Sequence, residues 1–228
     1  MPPQINELLD TPDRYETVRD MIAAILATEI GNQQALASTS GQDPDLYAVD
    51  VFSERSFSVE RFLEGEYKCP LVNVWWQSLN EHTGTSTVHH TEDEVVYFLD
   101  FVAAGRTADD GGDGHVAGDR QARLAVQRAI RLVRQILMSG QYTYLGSPRK
   151  AGQIVFGRAV QSIVVNEPEY VEESRLAQWI ATARMTLRVR LAMDSPQVQG
   201  ETIELITNSV TRSSDGKVLA RADYAFTP

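Results

Sequence analysis

The sequence contains one cysteine and four histidines among its 228 residues, and it has no long hydrophobic run. Cys69 has no second cysteine to pair with, so we expect no internal disulfide and assembly in a reducing compartment. A membrane-spanning helix needs about 18 consecutive apolar residues, and the absence of such a run predicts no membrane segment. The opening residues lack the basic and apolar regions of a secretory signal, so we expect no such signal.

The short motifs of common active sites are also missing. The sequence has no nucleophile elbow G-x-S-x-G, no phosphate-binding loop G-x-x-x-x-G-K-S/T and no dinucleotide-binding G-x-G-x-x-G. Residues 109–114 have the composition of a calcium-binding loop, but Arg120 occupies the position of the bidentate glutamate. These absences predict a protein that is not an enzyme and that binds no cofactor or metal.

One group of residues has the side-chain types of a metal site, namely His89, His90 and Glu94. His90 and Glu94 are four residues apart, which brings two zinc ligands together on a helix. They precede a predicted strand, where this spacing does not place them side by side, so a solvated loop is favoured. A metal-dependent hydrolase that uses His89, His90 and Glu94 remains an alternative, and metal analysis of the purified protein would identify it.

Charge is unevenly distributed along the chain, whose formal net charge is −10. Residues 1–119 contain 22 acidic and 6 basic side chains, whereas residues 120–190 contain 12 basic and 4 acidic ones. This asymmetry is compatible with an acidic region of one molecule meeting a basic region of another, and equally with neutralisation inside one folded subunit. The isoelectric point near 4.9 disfavours a nucleic-acid-binding module, so we expect no sequence-specific nucleic-acid partner.

A predicted helix over residues 119–138 carries a polar row at steps of three and four residues, which consists of Arg120, Arg123, Gln127, Arg131 and Arg134. We call its four arginines the arginine stripe. The predicted apolar side of the same helix consists of Leu124, Val126, Ile130, Val133 and Leu137. Arginine binds carboxylates bidentately, and no acidic residue lies four positions after any of these arginines. We therefore predict that the stripe contacts an acidic partner, the alternative being a solvated face.

The other elements follow from local patterns. A first helix is predicted to begin after Thr11, its N-cap, and to end at Gly31. Residues 95–103 are predicted to form a central strand that is buried on both faces. Residues 108–118 are predicted to form a flexible loop. Residues 183–193 alternate between apolar and largely basic positions, which predicts a strand that adds Arg184, Arg188 and Arg190 to the candidate interface. Residues 203–226 form a hairpin, and Trp75 and Trp76 point to opposite faces of a strand.

These elements predict a single α+β domain over residues 1–228, with a mostly antiparallel or mixed β-sheet flanked by two main α-helices. Their order resembles that of the tail terminator (tail-completion) proteins of tailed bacteriophages. The resemblance rests on the helix at residues 12–30, the strand at 95–103, the arginine-lined helix at 119–138 and the segment 152–193. It covers most of the chain and is a resemblance of pattern.

The resemblance implies a structural virion protein with no catalytic residue and no cofactor. Its members form a ring of six subunits that caps the tail tube, stops tail polymerisation and joins the tail to the head-side connector. The expected partners are further copies of the chain, the tail tube protein, possibly the sheath, and connector or neck proteins. We expect assembly in the host cytoplasm and a final location in the tail or neck of the virion. Another neck, head–tail joining or minor tail protein is the first alternative.

Overall fold

The computed structural model describes residues 12–55, 70–87, 90–109, 115–147, 153–171, 178–194, 205–211 and 218–225. The chain divides into two compact units, which are Pro12–Ser195 and a second unit made of Met1–Thr11 with Pro196–Pro228. The first unit contains two long helices and a mixed six-stranded sheet, so the predicted α+β fold class is confirmed. That the whole chain forms one domain stays a prediction.

Helix α1 spans Arg14–Thr39, and both of its predicted ends were wrong. Asp13, not Thr11, is the N-cap: its carboxylate accepts a hydrogen bond from the Arg14 amide at 2.9 Å, and the Glu16 carboxylate accepts one from the Asp13 amide at 2.8 Å. The helix continues past Gly31 because burial of apolar side chains before and after it, including Ala37, offsets the about 1 kcal/mol that an interior glycine costs.

Helix α2 spans Gly118–Met138, which confirms the second predicted helix within one residue. Its N-cap is Ala117 rather than Asp119, whose carboxylate accepts a hydrogen bond from the Arg120 amide at 2.7 Å. A Cβ atom added to Gly105 would lie 2.2 Å from the Gly118 carbonyl oxygen, so only glycine allows this close approach of α2 to the sheet. Neither described helix is long and apolar enough to cross a membrane.

The described strands fall into one large sheet and two short ladders. In chain order they are β1 (Asp50–Ser53), β2 (Leu71–Thr87), β3 (His90–Gly105), β4 (Ala108–Asp109), β5 (His115–Val116), β6 (Val155–Val165), β7 (Glu169–Val171), β8 (Gln178–Asp194), β9 (Leu205–Thr211) and β10 (Val218–Ala225). The large sheet has the order β1-β2-β3-β8-β6, and β7 also pairs with β8. All of its pairs are antiparallel except β1 with β2, which are parallel.

The two short ladders fall in segments for which the sequence predicted a hairpin and a loop. Strands β9 and β10 pair antiparallel, which confirms the hairpin, while its predicted turn lies outside the described residues. Strands β4 and β5 pair antiparallel inside the segment 108–118, with Ala108 opposite Val116. The described ends of that segment are therefore paired strands, and not a loop throughout.

One face of the large sheet, which we call the helix face, is covered by both helices. Its central positions are completely buried and alternate along β3 and β8: Tyr97, Leu99, Phe101, Met185, Leu187 and Val189. The opposite face, which we call the polar face, is only partly covered, and Phe98 and Asp100 on β3 are half-buried. The predicted central strand is confirmed, although its two faces are not equally buried.

Side-chain hydrogen bonds from Tyr97 and Arg158 help to fasten the helices to the sheet. The buried Tyr97 hydroxyl donates to the Tyr15 carbonyl oxygen in the first turn of α1 at 2.7 Å, and burial raises the pKa of this hydroxyl. The Arg158 guanidinium on β6 donates to the carbonyl oxygens of Leu137 and Ser139 at the end of α2. A cation at this position compensates the unpaired carbonyls and the negative end of the helix dipole.

Truncation of Leu99 to Ala should lower the free energy of unfolding by about 2–5 kcal/mol, because it leaves a cavity under both helices. The measurement is urea denaturation of the purified variant. The matched control is Leu36→Ala, since Leu36 is 59% exposed and its truncation should change stability by no more than about 0.5 kcal/mol. Equal effects of the two substitutions would contradict the described core.

Candidate partner-binding surface

The arginine stripe lies on the exposed side of α2. Arg120, Arg123, Arg131 and Arg134 are all exposed, and none of them makes an ion pair with a described residue. Leu124 is 48% exposed on the same side, so its predicted place on the buried side was wrong. The surface therefore combines basic side chains with exposed apolar ones, a composition found where proteins bind one another.

The flank of α2 that meets the segment after α1 forms a shallow groove of about 120 Å³. Its lining consists of Leu46, Tyr47, Arg128, Arg131, Leu132 and Gln135. Leu46 is 43% exposed and belongs to a short 3-10 helix, Pro44–Tyr47, whose N-cap is Asp43. One arginine of the stripe, Arg131, thus borders a surface that also carries exposed acidic residues, Asp43 and Asp45.

The arginines of β8 lie on the polar face and are engaged within the subunit. Arg184 makes a bidentate ion pair with Asp100, with nitrogen–oxygen distances of 2.6 and 2.9 Å. Its guanidinium carbon lies 4.5 Å from the Phe98 ring centroid and 5.2 Å from that of Trp75. The hydrogen bond with Asp100 raises the pKa of the Arg184 guanidinium.

Arg188 is held in a similar way, between strands β3 and β6. It donates to the Glu94 carboxylate at 2.9 Å and to the Gln161 side-chain oxygen at 2.7 Å. Arg190 is exposed, and its Nη2 atom would lie 3.6 Å from a Cβ atom added to Gly157. Intramolecular neutralisation therefore accounts for Arg184 and Arg188, and their place in a subunit interface stays a prediction.

A cavity of about 720 Å³ opens on the polar face beside the Arg184–Asp100 pair. Trp75 contributes to its wall and donates its ring N–H to Asp100 at 2.8 Å. Asn73, also in the wall, is almost fully buried and binds both backbone polar groups of Arg55. Asp100 is thus bound by Arg184 and Trp75, and Asn73 is bound by the backbone of Arg55. None of Asp100, Arg184 and Asn73 therefore offers a free reactive group to the cavity.

The two tryptophans occupy opposite faces, as predicted. Trp75 packs edge-on against Phe98 on the polar face, with ring centroids 5.1 Å apart. Trp76 is 37% exposed and stacks on Tyr15 of α1 at 4.8 Å. Trp76 lies at the margin of the helix face, and its backbone amide donates to the Glu54 carboxylate at 3.0 Å.

The candidate metal ligands are only partly described. His89 lies outside the described residues, whereas His90 and Glu94 belong to β3 and do not precede it. Four residues along a strand correspond to about 13 Å, which is too far for two ligands of one metal ion. Within the described part of the chain, no three His, Cys, Asp or Glu residues are grouped as metal ligands would be.

Sequence reasoning missed an exposed apolar segment at the end of β6. Ile163, Val164 and Val165 are 38%, 57% and 36% exposed, and Tyr170 on β7 is 50% exposed. The available signal was the absence of any charged residue over positions 159–165, followed by Asn, Glu and Pro. A run of this kind predicts a strand, but periodicity does not reveal that the strand lies at the edge of its sheet.

No protein-family model matches this chain, and no curated protein sequence is significantly similar to it.

Asp100→Asn and Arg184→Gln, combined in a double-mutant cycle, should give a coupling energy of about 0.5–1 kcal/mol, because the ion pair is bidentate but partly exposed. The measurement is the free energy of unfolding of the four proteins. Asp20→Asn with Arg184→Gln serves as the control cycle, since Asp20 pairs with Arg19 and should show no coupling to Arg184. A coupling equal to that of the control would argue against the intramolecular pair.

Proposed function

We propose that this protein is a structural virion protein that forms a ring on the end of a phage tail tube. In this role it stops tail polymerisation and joins the tail to the head-side connector. The ring is made of copies of the chain, six in the members of the family that the sequence resembles. Its other partners are the tail tube protein, possibly the sheath, and connector or neck proteins.

The observation that carries the proposal is the arginine stripe. Its four side chains are exposed on an acidic protein, and none of them has an ion-pair partner among the described residues. The charges of Arg184 and Arg188 are already neutralised by carboxylates of their own subunit. The stripe differs from them because its guanidinium groups remain available to carboxylates of another molecule.

Acidic residues are exposed near both ends of α1, a helix of 26 residues and about 39 Å, so they do not form one surface. Exposed acidic side chains occur at Asp13, Asp20, Asp43 and Asp45. A closed ring requires two different complementary patches on each subunit, because each subunit presents one patch to each neighbour. The arginine stripe and either of these acidic groups have the opposite charges that such a heterologous contact needs.

The order of elements also supports the proposal. The long first helix, the central strand β3, the arginine-lined helix α2 and the alternating strand β8 occur in the order on which the resemblance rests. Both helices cover the helix face, so the exposed side of α2 points away from the sheet and is available for contact. A fold shared with other proteins is by itself an analogy, so the charge reversal below is the decisive test.

Reversal of Arg131 and Arg134 to Glu should leave the subunit folded and prevent ring formation, because carboxylates would then face carboxylates. Sedimentation at low and high salt measures assembly, and electron microscopy of assembled particles measures tail length. Wild-type contacts at the rim should weaken at high salt, since about 1 M salt shortens the Debye length to about 3 Å. In particles, the reversal should produce abnormally long or headless tails.

The control for this reversal is Ala24→Glu with Ala27→Glu, which adds two glutamates to an exposed part of α1. The control protein should assemble as the wild type does, because it keeps every arginine of the stripe and adds only the sign of charge that the stripe binds. Normal rings and normal tail length in the Arg131→Glu, Arg134→Glu protein would mean that the stripe is a solvated face.

A further inference from the structure

An aromatic pair is exposed where the start of helix α1 meets the margin of the helix face. The rings of Tyr15 and Trp76 stack with their centroids 4.8 Å apart. Trp76 is 37% exposed, whereas the other two tryptophans of the chain are half-buried. Tryptophan, tyrosine and arginine are the side chains that contribute most where proteins bind one another, so this pair is a natural place for a contact.

Carboxylates flank the aromatic pair. Asp13 and Glu16 lie in the first turn of α1 on either side of Tyr15, and neither makes an ion pair with a described residue. Burial contributes most to raising the pKa of the Tyr15 hydroxyl, and the negative charges of Glu16 and Asp13 raise it further. Both carboxylates are therefore within electrostatic reach of the ring. We call Asp13, Tyr15, Glu16 and Trp76 the acidic aromatic patch.

The arginines nearest to this patch are engaged elsewhere in the subunit. Arg19 binds Asp20 at 2.8 Å and lies 3.3 Å from the Glu54 carboxylate, which neutralises its charge. The Arg14 guanidinium donates to the carbonyl oxygen of Ala192 at 2.6 Å. The acidic aromatic patch thus carries negative charge beside an exposed aromatic surface, a combination that attracts a cation.

We propose that the acidic aromatic patch of one subunit receives Arg131 and Arg134 of the next subunit. One guanidinium lies on the exposed surface of the aromatic pair, and the other pairs with the Asp13 or Glu16 carboxylate. This inference rests on the proposed ring and specifies the second of its two contact surfaces.

A guanidinium fits both features of the patch at once. Its flat group stacks on an aromatic ring while its N–H groups bind a carboxylate. The subunit already contains one such arrangement on the polar face, where Arg184 pairs with Asp100 and lies over the rings of Trp75 and Phe98. The proposed contact repeats this arrangement between two subunits.

The other exposed acidic group does not suit a ring contact. Asp43 and Asp45 follow the end of α1, about 39 Å along the helix from the acidic aromatic patch. Their 3-10 helix borders the same groove as Arg131 of its own subunit. The two surfaces of a ring contact face different neighbours and must lie apart on the subunit. The acidic aromatic patch meets this condition, and Asp43 and Asp45 do not.

Removal of two charges tests the assignment while the start of α1 is preserved. Asparagine caps a helix as aspartate does, and glutamine can replace glutamate in a capping box, so Asp13→Asn with Glu16→Gln keeps these hydrogen bonds. The variant should assemble about tenfold more weakly than the wild type, because charge pairs across the contact are lost. Sedimentation over a range of concentrations measures this change, and circular dichroism checks the fold.

The matched control is Asp43→Asn with Asp45→Asn. It removes the same amount of charge from the other acidic group and keeps a capping side chain at the start of the 3-10 helix. The control protein should assemble as the wild type does. A loss equal to that of the Asp13→Asn, Glu16→Gln protein would overturn the inference.

The aromatic half of the contact has its own test. Trp76→Leu keeps an apolar side chain but removes the ring, so it should weaken assembly about fivefold. Trp76→Phe keeps a ring and should restore most of the wild-type assembly. Equal assembly of the Trp76→Leu and Trp76→Phe proteins would contradict a stacked guanidinium.

A zero-length cross-link identifies the carboxylates that the arginines meet. Arg131→Lys with Arg134→Lys keeps both positive charges and supplies amines that a carbodiimide joins to adjacent carboxylates as amides. Mass spectrometry of the covalent dimer should find position 131 or 134 joined to Asp13 or Glu16. Links to Asp43 or Asp45 in that dimer, or no more dimer than the wild type gives, would overturn the inference.

The results separate this inference from the proposed function. Assembly that is lost in the Arg131→Glu, Arg134→Glu protein but normal in the Asp13→Asn, Glu16→Gln protein would overturn the inference and leave the proposed ring intact. Normal assembly of both proteins would overturn both proposals. An equal mixture of the two should form one-to-one dimers, because one protein keeps the arginines and the other keeps the acidic aromatic patch. Such dimers, absent from either protein alone, support the inference.

Discussion

The antiparallel pairing of β3 with β8 is the contact on which the rest of the structure depends. It joins His90–Gly105 to Gln178–Asp194 along their whole length and fixes which side chains face the helices. Because strand side chains alternate, a shift of one residue would carry every apolar side chain of β8 to the polar face and its arginines under the helices. The buried tyrosine, leucine, phenylalanine and methionine side chains of the two strands thus specify one register.

The same alternation determines the charge chemistry of the polar face. Arg184 and Arg188 emerge there opposite or diagonal to Asp100 and Glu94, and the cross-strand ion pairs neutralise them inside the subunit. The arginine stripe has no such neighbours, because it lies on a helix whose inner side is taken up by the core. Two sets of arginines that are alike in sequence therefore differ in how available they are to a partner.

The sequence was sufficient for elements with a clear period. Helix α2 and strand β8 each alternate apolar and charged residues at one spacing. Helix α2 was predicted nearly to its ends, whereas β8 begins at Gln178, five residues before the predicted start at 183. The end of α1 was not predictable in this way, because burial of Ala37 against the rest of the fold overrides a local glycine signal. Leu124 was assigned to the buried side by its apolar character, although it lies four residues after Arg120 and seven before Arg131 and so shares the exposed side of α2.

Contacts between distant residues were beyond sequence reasoning altogether. The pairing of Arg184 with Asp100 and the edge position of β6 depend on strand order, which local patterns do not specify. A strand with few charges has the same composition whether it lies in the centre of a sheet or at its edge. The arginine stripe was predictable because the spacing of residues along a helix determines which of them share its exposed side.

The hydrogen bond between Arg14 and Ala192 joins the first helix to a strand that is synthesised late. The guanidinium of Arg14, at the start of α1, donates to the carbonyl oxygen of Ala192, near the end of β8, at 2.6 Å. During synthesis α1, β2 and β3 leave the ribosome long before β8, and until then one long edge of β3 lacks its partner strand. Closure of so many long-range contacts is slow compared with local helix formation. The nascent subunit therefore passes through a stage in which an apolar strand edge is exposed, and early termination of synthesis before β8 would release a fragment prone to aggregate.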